Sequence, residues 1–435
     1  MTIHRVVIVG GGAGGIELAT RLGDRLGRRG KAHVTLVDAN LTHLWKPLLH
    51  EVAAGTFDSH EDDVDYIAQS HQHHFDYRLG RMDGLDRERR EVRLAPTLDE
   101  DGREIIPRRV VPYDTLALAV GSVSNDFGIP GVREHCVFLD DRAQADAFQR
   151  LIMRNYIRAQ TQSAPLEKGQ LNVVIVGAGA TGVELAAELH HVAHQLVNYG
   201  FDRIVPERDV KLTIIEAADR ILPALPERLS RAAAAELRRL GVEIHTGKRV
   251  TRVIADGVQT QDGMFFHART KVWAAGIKAP DFLRELAGLE TSRSNQLVVR
   301  QTLQTTRADD IFALGDCAQC PRPGQERPVP PTAQAAHQQA EMLVRSIERR
   351  IAGRSLPKYV YHDRGSLISL SHYTAFGNLM SGLTGNVMIE GRFARLTYRT
   401  LHRLHQRALH GAWPTLLLTL SDFLQHRTKP RLKLH

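Results

Sequence analysis

"VVIVGGGAGGIELATRL" (Val6 to Leu22) and "VVIVGAGATGVELAAEL" (Val173 to Leu189) are nearly the same passage written twice. Each holds an apolar run of strand length, three glycines in G-x-G-x-x-G spacing, and a helical pattern containing Glu-Leu. In the first, Gly10 allows a tight turn, Gly12 lets backbone approach a pyrophosphate, and Gly15 lets helix and strand pack closely; Gly177, Gly179 and Gly182 repeat the set. The helix after each turn presents free N–H groups to a dianion, with Thr181 at the start of the second helix.

An acidic strand end completes each unit. "HVTLVD" ends in Asp38 and "VKLTIIE" in Glu216, where a carboxylate accepts bonds from ribose hydroxyls. The longer gap before Glu216 is filled by "HHVAHQLVNYGFDRIVPERD", read as helix and loop. Glu216 repels a 2'-phosphate and no Arg directly follows it, so the second unit favours NADH over NADPH. Two strand, glycine, helix, strand and acid series in register predict a double dinucleotide fold.

The later strands of the chain assign a nucleotide to each unit. "YDTLALAVGS" (Tyr113 to Ser122) is a strand ending in a small-residue turn at Gly121. Much later "ADDIFALGDCA" (Ala308 to Ala318) closes on Gly315-Asp316 and resembles the signature by which two-dinucleotide flavoproteins hold FAD, making Asp316 the best flavin contact after the glycines. "TKVWAAGI" (Thr270 to Ile277), with Ala275 and Gly276, reads as the return strand of the NADH unit. Glu184, two residues past Gly182, has two readings: it orients the nicotinamide or relays a proton, or it is a first-turn carboxylate facing the helix dipole.

The chain has 435 residues and 43% hydrophobic content, enough for two or three compact domains. Three cysteines without an even-numbered framework, and no secretory pattern at Met1 to Val9, predict a reducing cytoplasmic setting. The net charge of +8 is local. Between Gly391 and His435 stand nine Lys/Arg and one Asp, which leaves 48 basic and 48 acidic residues in the rest. A distributed nucleic-acid face is thereby disfavoured, and a local electrostatic anchor is the better reading.

The next electron acceptor is narrowed by elimination. "NLTHLWKPLLHEVAAGT" (Asn40 to Thr56) lacks the paired cysteines of a disulfide reductase, and Cys136, Cys317 and Cys320 are too few for an iron-sulfur cluster. Cys317-x-x-Cys320 reads as incidental to the Gly-Asp turn, with a redox or zinc role left open. After a proline-rich loop, Thr332 is read as the N-cap of "AQAAHQQAEMLVRSIERR". There Gln334, His337 and Gln338 lie at i, i+3 and i+4 on one helix face, where they can hydrogen-bond a quinone carbonyl; a capped surface helix is the alternative.

"AQAAHQ" (Ala333 to Gln338), "HLWKPLLHEVAAGT", "GATGVELAAEL", "FALGDCA" and the ending "KPRLKLH" together resemble the type II NADH:quinone oxidoreductases, in their bacterial form. The resemblance runs from the first strand to the last residue. It implies a FAD enzyme on the cytoplasmic face of the inner membrane that oxidises NADH, reduces ubiquinone or menaquinone, and pumps no protons. It also implies that the Trp45 to Leu49 loop borders the flavin with Lys46 as its polar group, that Ala333 lies in the flavin site, and that Gln334 and Gln338 line the quinone site.

In the C-terminal part, Arg395, Arg399, Arg403 and Arg407 form a basic stripe opposite Phe393, Leu396, Leu401, Leu404 and Ala408. Trp413, Pro414 and "TLLLTLSDFL" come next, short of the ~18 residues needed to span a bilayer. The pattern predicts interfacial attachment to anionic lipid; packing against a second subunit of a homodimer is compatible with it. His71, His73 and His74 lack a completing ligand and read as a solvated loop, and no metal is expected.

The expected architecture is α/β: two Rossmann-like dinucleotide-binding domains and a C-terminal membrane-anchoring region. Residues 1–135 and 291–356 form the FAD domain, 136–290 the inserted NADH domain, and 357–435 the attachment and dimerisation region. In the expected reaction NADH gives hydride to flavin N5, and two electrons with protons pass to quinone. The alternatives are a sulfide:quinone oxidoreductase of the same fold and a slow NADH-binding redox sensor.

Overall fold

The structure, a computed structural model, describes residues 3–57, 63–99, 101–381, 385–390, 392–425 and 432. The chain divides into two compact units.

The first unit gathers Met1–Trp45, Asp62–Val123 and Ile277–His362. Its centre is a five-stranded sheet in the order Ile311–Ala313, Thr115–Leu118, His4–Val9, Ala32–Asp38, Asp76–Leu79. Every neighbouring pair is parallel. Parallel strands are covered on both faces, which is why these runs are continuously apolar instead of alternating. Val6, Val7, Ile8 and Val9 are all buried, and each such side chain contributes on the order of 1.5–3 kcal/mol. A single Ile8→Asp change would place an unpaired charge at the centre of this core. The helix Ala13–Leu22 buries one flank of the sheet and packs on the helix Ala333–Ile351. Gly14 permits that approach, since a Cβ there would lie 3.0 Å from Leu314 Cδ1 and 3.1 Å from the Ala336 carbonyl oxygen.

The second unit gathers Lys46–Glu61, Ser124–Gly276 and Asp363–His435. Its parallel sheet has the order Glu243–His245, Leu212–Ile215, Val173–Val176, Thr270–Trp273. Trp273 is fully packed among Val174, Val176 and Ile215, and its indole N–H donates to the Asn125 carbonyl at 2.7 Å, so the buried polar atom is satisfied. The helix Ala180–Asn198 lies beside the short helix Leu49–Ala54 and the strand Gly365–Leu370. That strand opens an antiparallel sheet with Thr374–Ser381 and Gly385–Glu390, followed by the helices Arg392–His410 and Ala412–Gln425.

Candidate active site

Within each unit the glycine series does the same mechanical work. Gly10 has φ +100° and Gly177 φ +105°, backbone angles that suit glycine alone. A Cβ on Gly15 would fall 1.8 Å from the Gly10 carbonyl oxygen, and one on Gly182 would fall 2.0 Å from that of Gly177. The middle glycines differ: a Cβ on Gly12 or Gly179 meets nothing within 4 Å. Protein packing therefore demands the outer glycines, whereas the middle one keeps open a cradle that a Cβ would narrow. This is the shape a dinucleotide pyrophosphate needs at a helix N-terminus, so the residues of each unit fit a dinucleotide such as FAD or NADH.

The acids close each turn. Asp38 Oδ2 accepts the Gly11 N–H at 2.6 Å and Oδ1 accepts the Asn40 N–H at 2.8 Å. Glu216 Oε2 accepts the Ala178 N–H at 2.7 Å and Oε1 the Ala218 N–H at 2.8 Å. A carboxylate has about four lone-pair sites, so each retains capacity for ribose hydroxyls. Two residues outside the glycine motif hold Gly11 from its other side: Tyr66 donates its hydroxyl to the Gly11 carbonyl at 2.7 Å, and His43 donates from Nδ1 at 2.9 Å. Burial pushes the His43 imidazole down to about 4, which keeps it neutral with the proton on Nδ1.

The Gly315-Asp316 turn is equally braced. Ser122 donates its hydroxyl to Asp316 Oδ2 at 2.8 Å, Gln296 donates to the Asp316 carbonyl at 2.9 Å, and Gly315 N–H donates to Gln339 Oε1 at 2.7 Å. Gly121, at φ +70°, makes the bend that presents Ser122. Gln296 and Gln339 carry no motif signal; only the tertiary packing of distant segments reveals them.

Thr332 caps the Ala333–Ile351 helix, its side chain accepting the Ala335 N–H at 3.2 Å. Ala333 and Gln334 are half-buried at its start. Gln338 departs from the shared polar face that its i+4 spacing suggests. Its amide donates to the His362 carbonyl at 2.7 Å and accepts the His362 N–H at 3.0 Å. A buried amide needs both a donor and an acceptor, and one backbone residue supplies them. His337 turns to Glu17, with Nδ1 2.5 Å from Oε2.

In the second unit Glu184 is the fifth residue of its helix and buried, so the first-turn, dipole-facing reading does not hold. Its Oε1 accepts the Ser369 N–H at 3.0 Å and its Oε2 lies 3.7 Å from His50 Nδ1. Burial pushes the His50 imidazole down to about 4, leaving it neutral. Four residues further along the helix, Glu188 accepts the Thr56 hydroxyl at 3.0 Å. No local pattern marks His50, because its link to Glu184 spans more than a hundred residues. Thr181 is exposed in the first turn, and Lys46 is exposed on the 3-10 turn Lys46–Leu48. Ala275 is half-buried; Gly276 accepts the Asn125 N–H at 3.2 Å, and a Cβ on it would strike the Phe127 ring at 2.7 Å.

Cys317 and Cys320 are buried, Cys136 half-buried, and burial pushes all three thiols up to about 12. Such thiols stay protonated and are poor nucleophiles. His73 pairs with Asp24 at 3.1 Å, and among the described residues no group of three or more His, Cys, Asp or Glu converges on a point.

The C-terminal helices leave Trp413 69% exposed, along with Leu404, Leu416, Leu417 and Leu420. Among the described residues no helix is long and apolar enough to cross a membrane. The side chains of Phe393, Arg395, Leu396, Arg399 and Leu401, and the ending "KPRLKLH" apart from Leu432, lie outside the described residues.

Residues 4–340 match the pyridine nucleotide-disulphide oxidoreductase family. A type II NADH:quinone oxidoreductase of Haemophilus influenzae is 43% identical over the whole of both chains. One from Staphylococcus aureus is 30% identical over 86% of this chain and 89% of its own. The fold is shared with NDH2 from Plasmodium falciparum, solved in complex with NADH (TM-score 0.83, 18% identity, 99% of this chain and 100% of that one). It is also shared with the sulfide:quinone oxidoreductase of Aquifex aeolicus (TM-score 0.71, 16% identity, 94% and 92% covered). With two acid-closed glycine cradles and a full-length relative at this identity, the chain belongs to the pyridine nucleotide-disulphide oxidoreductases and, within them, to the type II NADH:quinone oxidoreductases.

Proposed function

We propose that this protein oxidises NADH and reduces a membrane quinone, ubiquinone or menaquinone, with FAD as its non-covalent cofactor and without pumping protons. The observation that carries the reading is the pair of cradles, each with its own acid, in a chain 43% identical over its full length to an NADH:quinone oxidoreductase. FAD would be held by Gly10, Gly12, Gly15, Asp38, Gly121, Asp316 and Ala333, with Lys46 as a further polar contact. When bound, it supplies the conversion between a hydride donor and an electron acceptor. NADH would be held by Gly177, Gly179, Thr181, Gly182 and Glu216, with Ala275 and Gly276 at the end of the return strand. Glu184, fixed by Ser369 and faced by His50, orients the nicotinamide. Gln334 and His337 face quinone; Gln338 shapes that site through its clasp on His362.

The exposed Trp413, Leu416, Leu417 and Leu420 beside the basic helix Arg392–His410 support attachment to the cytoplasmic face of the inner membrane, where the acceptor is dissolved. A homodimer that shares this region is part of the same proposal.

Anaerobic titration of the purified yellow protein tests the reading. NADH should bleach the flavin, NADPH should do so poorly, and a short-chain ubiquinone should restore the colour. A flavin that NADH leaves oxidised and sulfide bleaches would overturn it in favour of sulfide oxidation, against which the three protonated thiols already argue.

A further inference from the structure

We propose that Glu17 and His337 form a proton-transfer dyad for quinone reduction, with His337 giving a proton from Nε2 to a quinone oxygen and Glu17 positioning the ring. The proposal rests on the quinone-reducing function above.

The dyad begins with a residue that packing alone does not explain. Glu17 stands two residues past Gly15, on the side of its helix that meets the Ala333–Ile351 helix, and its side chain is 0% exposed. A charged carboxylate there is costly unless it is paired, and an apolar pair would join the two helices at least as well. Glu17 has two partners. The Arg21 guanidinium, one turn along, lies 2.7 Å from Oε1, an ion pair outside hydrogen-bond geometry. His337 Nδ1 lies 2.5 Å from Oε2.

That arrangement fixes the chemistry of the ring. An ionised carboxylate only accepts, so the proton between them sits on His337 Nδ1 in both protonation states of the imidazole. The exchangeable proton is then the one on Nε2. The His337 side chain is 36% exposed, and with Nδ1 against a fully buried carboxylate, the accessible edge of the ring carries Nε2. No partner occupies Nε2 among the described residues. A histidine whose Nδ1 is held by a carboxylate and whose Nε2 faces outward is a general acid with a defined direction of transfer.

Its location suits the task. His337 is one turn beyond Gln334, and its neighbour Ala336 packs on both Gly14 and Gly315, so the dyad flanks the glycine turn and the Asp316 turn. The reaction NADH + H⁺ + quinone → NAD⁺ + quinol draws two electrons and one proton from the hydride and a second proton from water. In the proposed step an imidazolium N–H bond at Nε2 breaks, a quinol O–H bond forms, and Nε2 recovers its proton from water. Glu17 stays ionised and Nδ1 stays protonated throughout.

Anaerobic stopped-flow mixing of the NADH-reduced full-length protein with a short-chain ubiquinone tests this. In His337→Ala, recovery of flavin colour should slow by roughly 100-fold or more. Millimolar imidazole should restore part of that rate, and the oxidised variant should bind the quinone within about twofold of wild type by calorimetry. His337→Gln keeps a hydrogen bond to Glu17 and controls for folding; it should be as slow as His337→Ala. Glu17→Gln should slow the same phase, with Glu17→Asp recovering most of it. Reoxidation of His337→Ala at the wild-type rate would overturn the dyad. So would a loss that imidazole does not rescue and that tracks weakened quinone binding, since the pair is then a helix staple. A wild-type protein that quinone fails to recolour overturns the quinone-reducing function itself, an outcome separate from either.

Discussion

Glu216 reaches back across its own strand end to accept the Ala178 N–H at 2.7 Å, inside the second glycine turn. The acid is thus a structural tie for the turn as well as a group placed for the ribose. Glu216→Gln keeps the shape and removes the charge. The KM for NADH should rise about 10-fold, the scale of one hydrogen bond to a charged group, and discrimination against NADPH should fall because the repulsion of a 2'-phosphate is gone. Steady-state kinetics with both nucleotides checks this; an unchanged NADPH ratio would remove Glu216 from the selectivity.

The outer and middle glycines should fail in different ways. Gly15→Ala drives a Cβ into the Gly10 carbonyl, so the first unit should lose several degrees of Tm and yield little folded protein. Gly12→Ala meets no protein atom and should fold with near-normal Tm, yet purify with much less flavin. Flavin-to-protein ratios and thermal melts of both variants decide whether the middle glycine serves the ligand.

Acid should weaken the fold in two stages. His43 and His50 are held neutral by burial, at about 4 against an ordinary 6.5, so between pH 6.5 and 4 the unfolded chain binds protons that the folded chain refuses. Stability therefore falls as pH drops through that window. Asp114 is held down to about 2 by its hydrogen bond to Arg5, a contribution present above 3.8 and lost as pH falls toward 2. Melting temperatures measured from pH 8 to 3 should be flat above 7 and decline below 6.5, and His50→Gln should flatten the first decline.

Membrane attachment should separate into an apolar and an electrostatic part. Replacing Trp413 and Leu417 by Ser removes exposed apolar surface and should weaken binding to vesicles about 10-fold or more at any salt. Replacing Arg403 and Arg407 by Gln should weaken binding to anionic vesicles only, an effect that shrinks as salt rises. Co-sedimentation with neutral and anionic vesicles distinguishes the two; equal loss on both lipids from the arginine variant would argue for protein packing.

Local pattern was sufficient for the doubled dinucleotide architecture, because its demands are local: a buried strand must be continuously apolar, and a turn that brings helix against strand has no room for a Cβ at Gly15 or Gly182. The same holds for Asp38, Glu216 and the Thr332 cap, each tied to backbone within or beside its own unit. Tertiary structure alone decided how Gln338 and His337 are used, what surrounds Glu184, and which residues brace Asp316. Glu17 and His337 are 320 positions apart, and His50 and Glu184 more than a hundred. Nothing in the spacing along the chain encodes such pairs. They exist because two helices pack closely enough that a buried carboxylate must find its partner on the neighbouring element, and that choice belongs to the folded core.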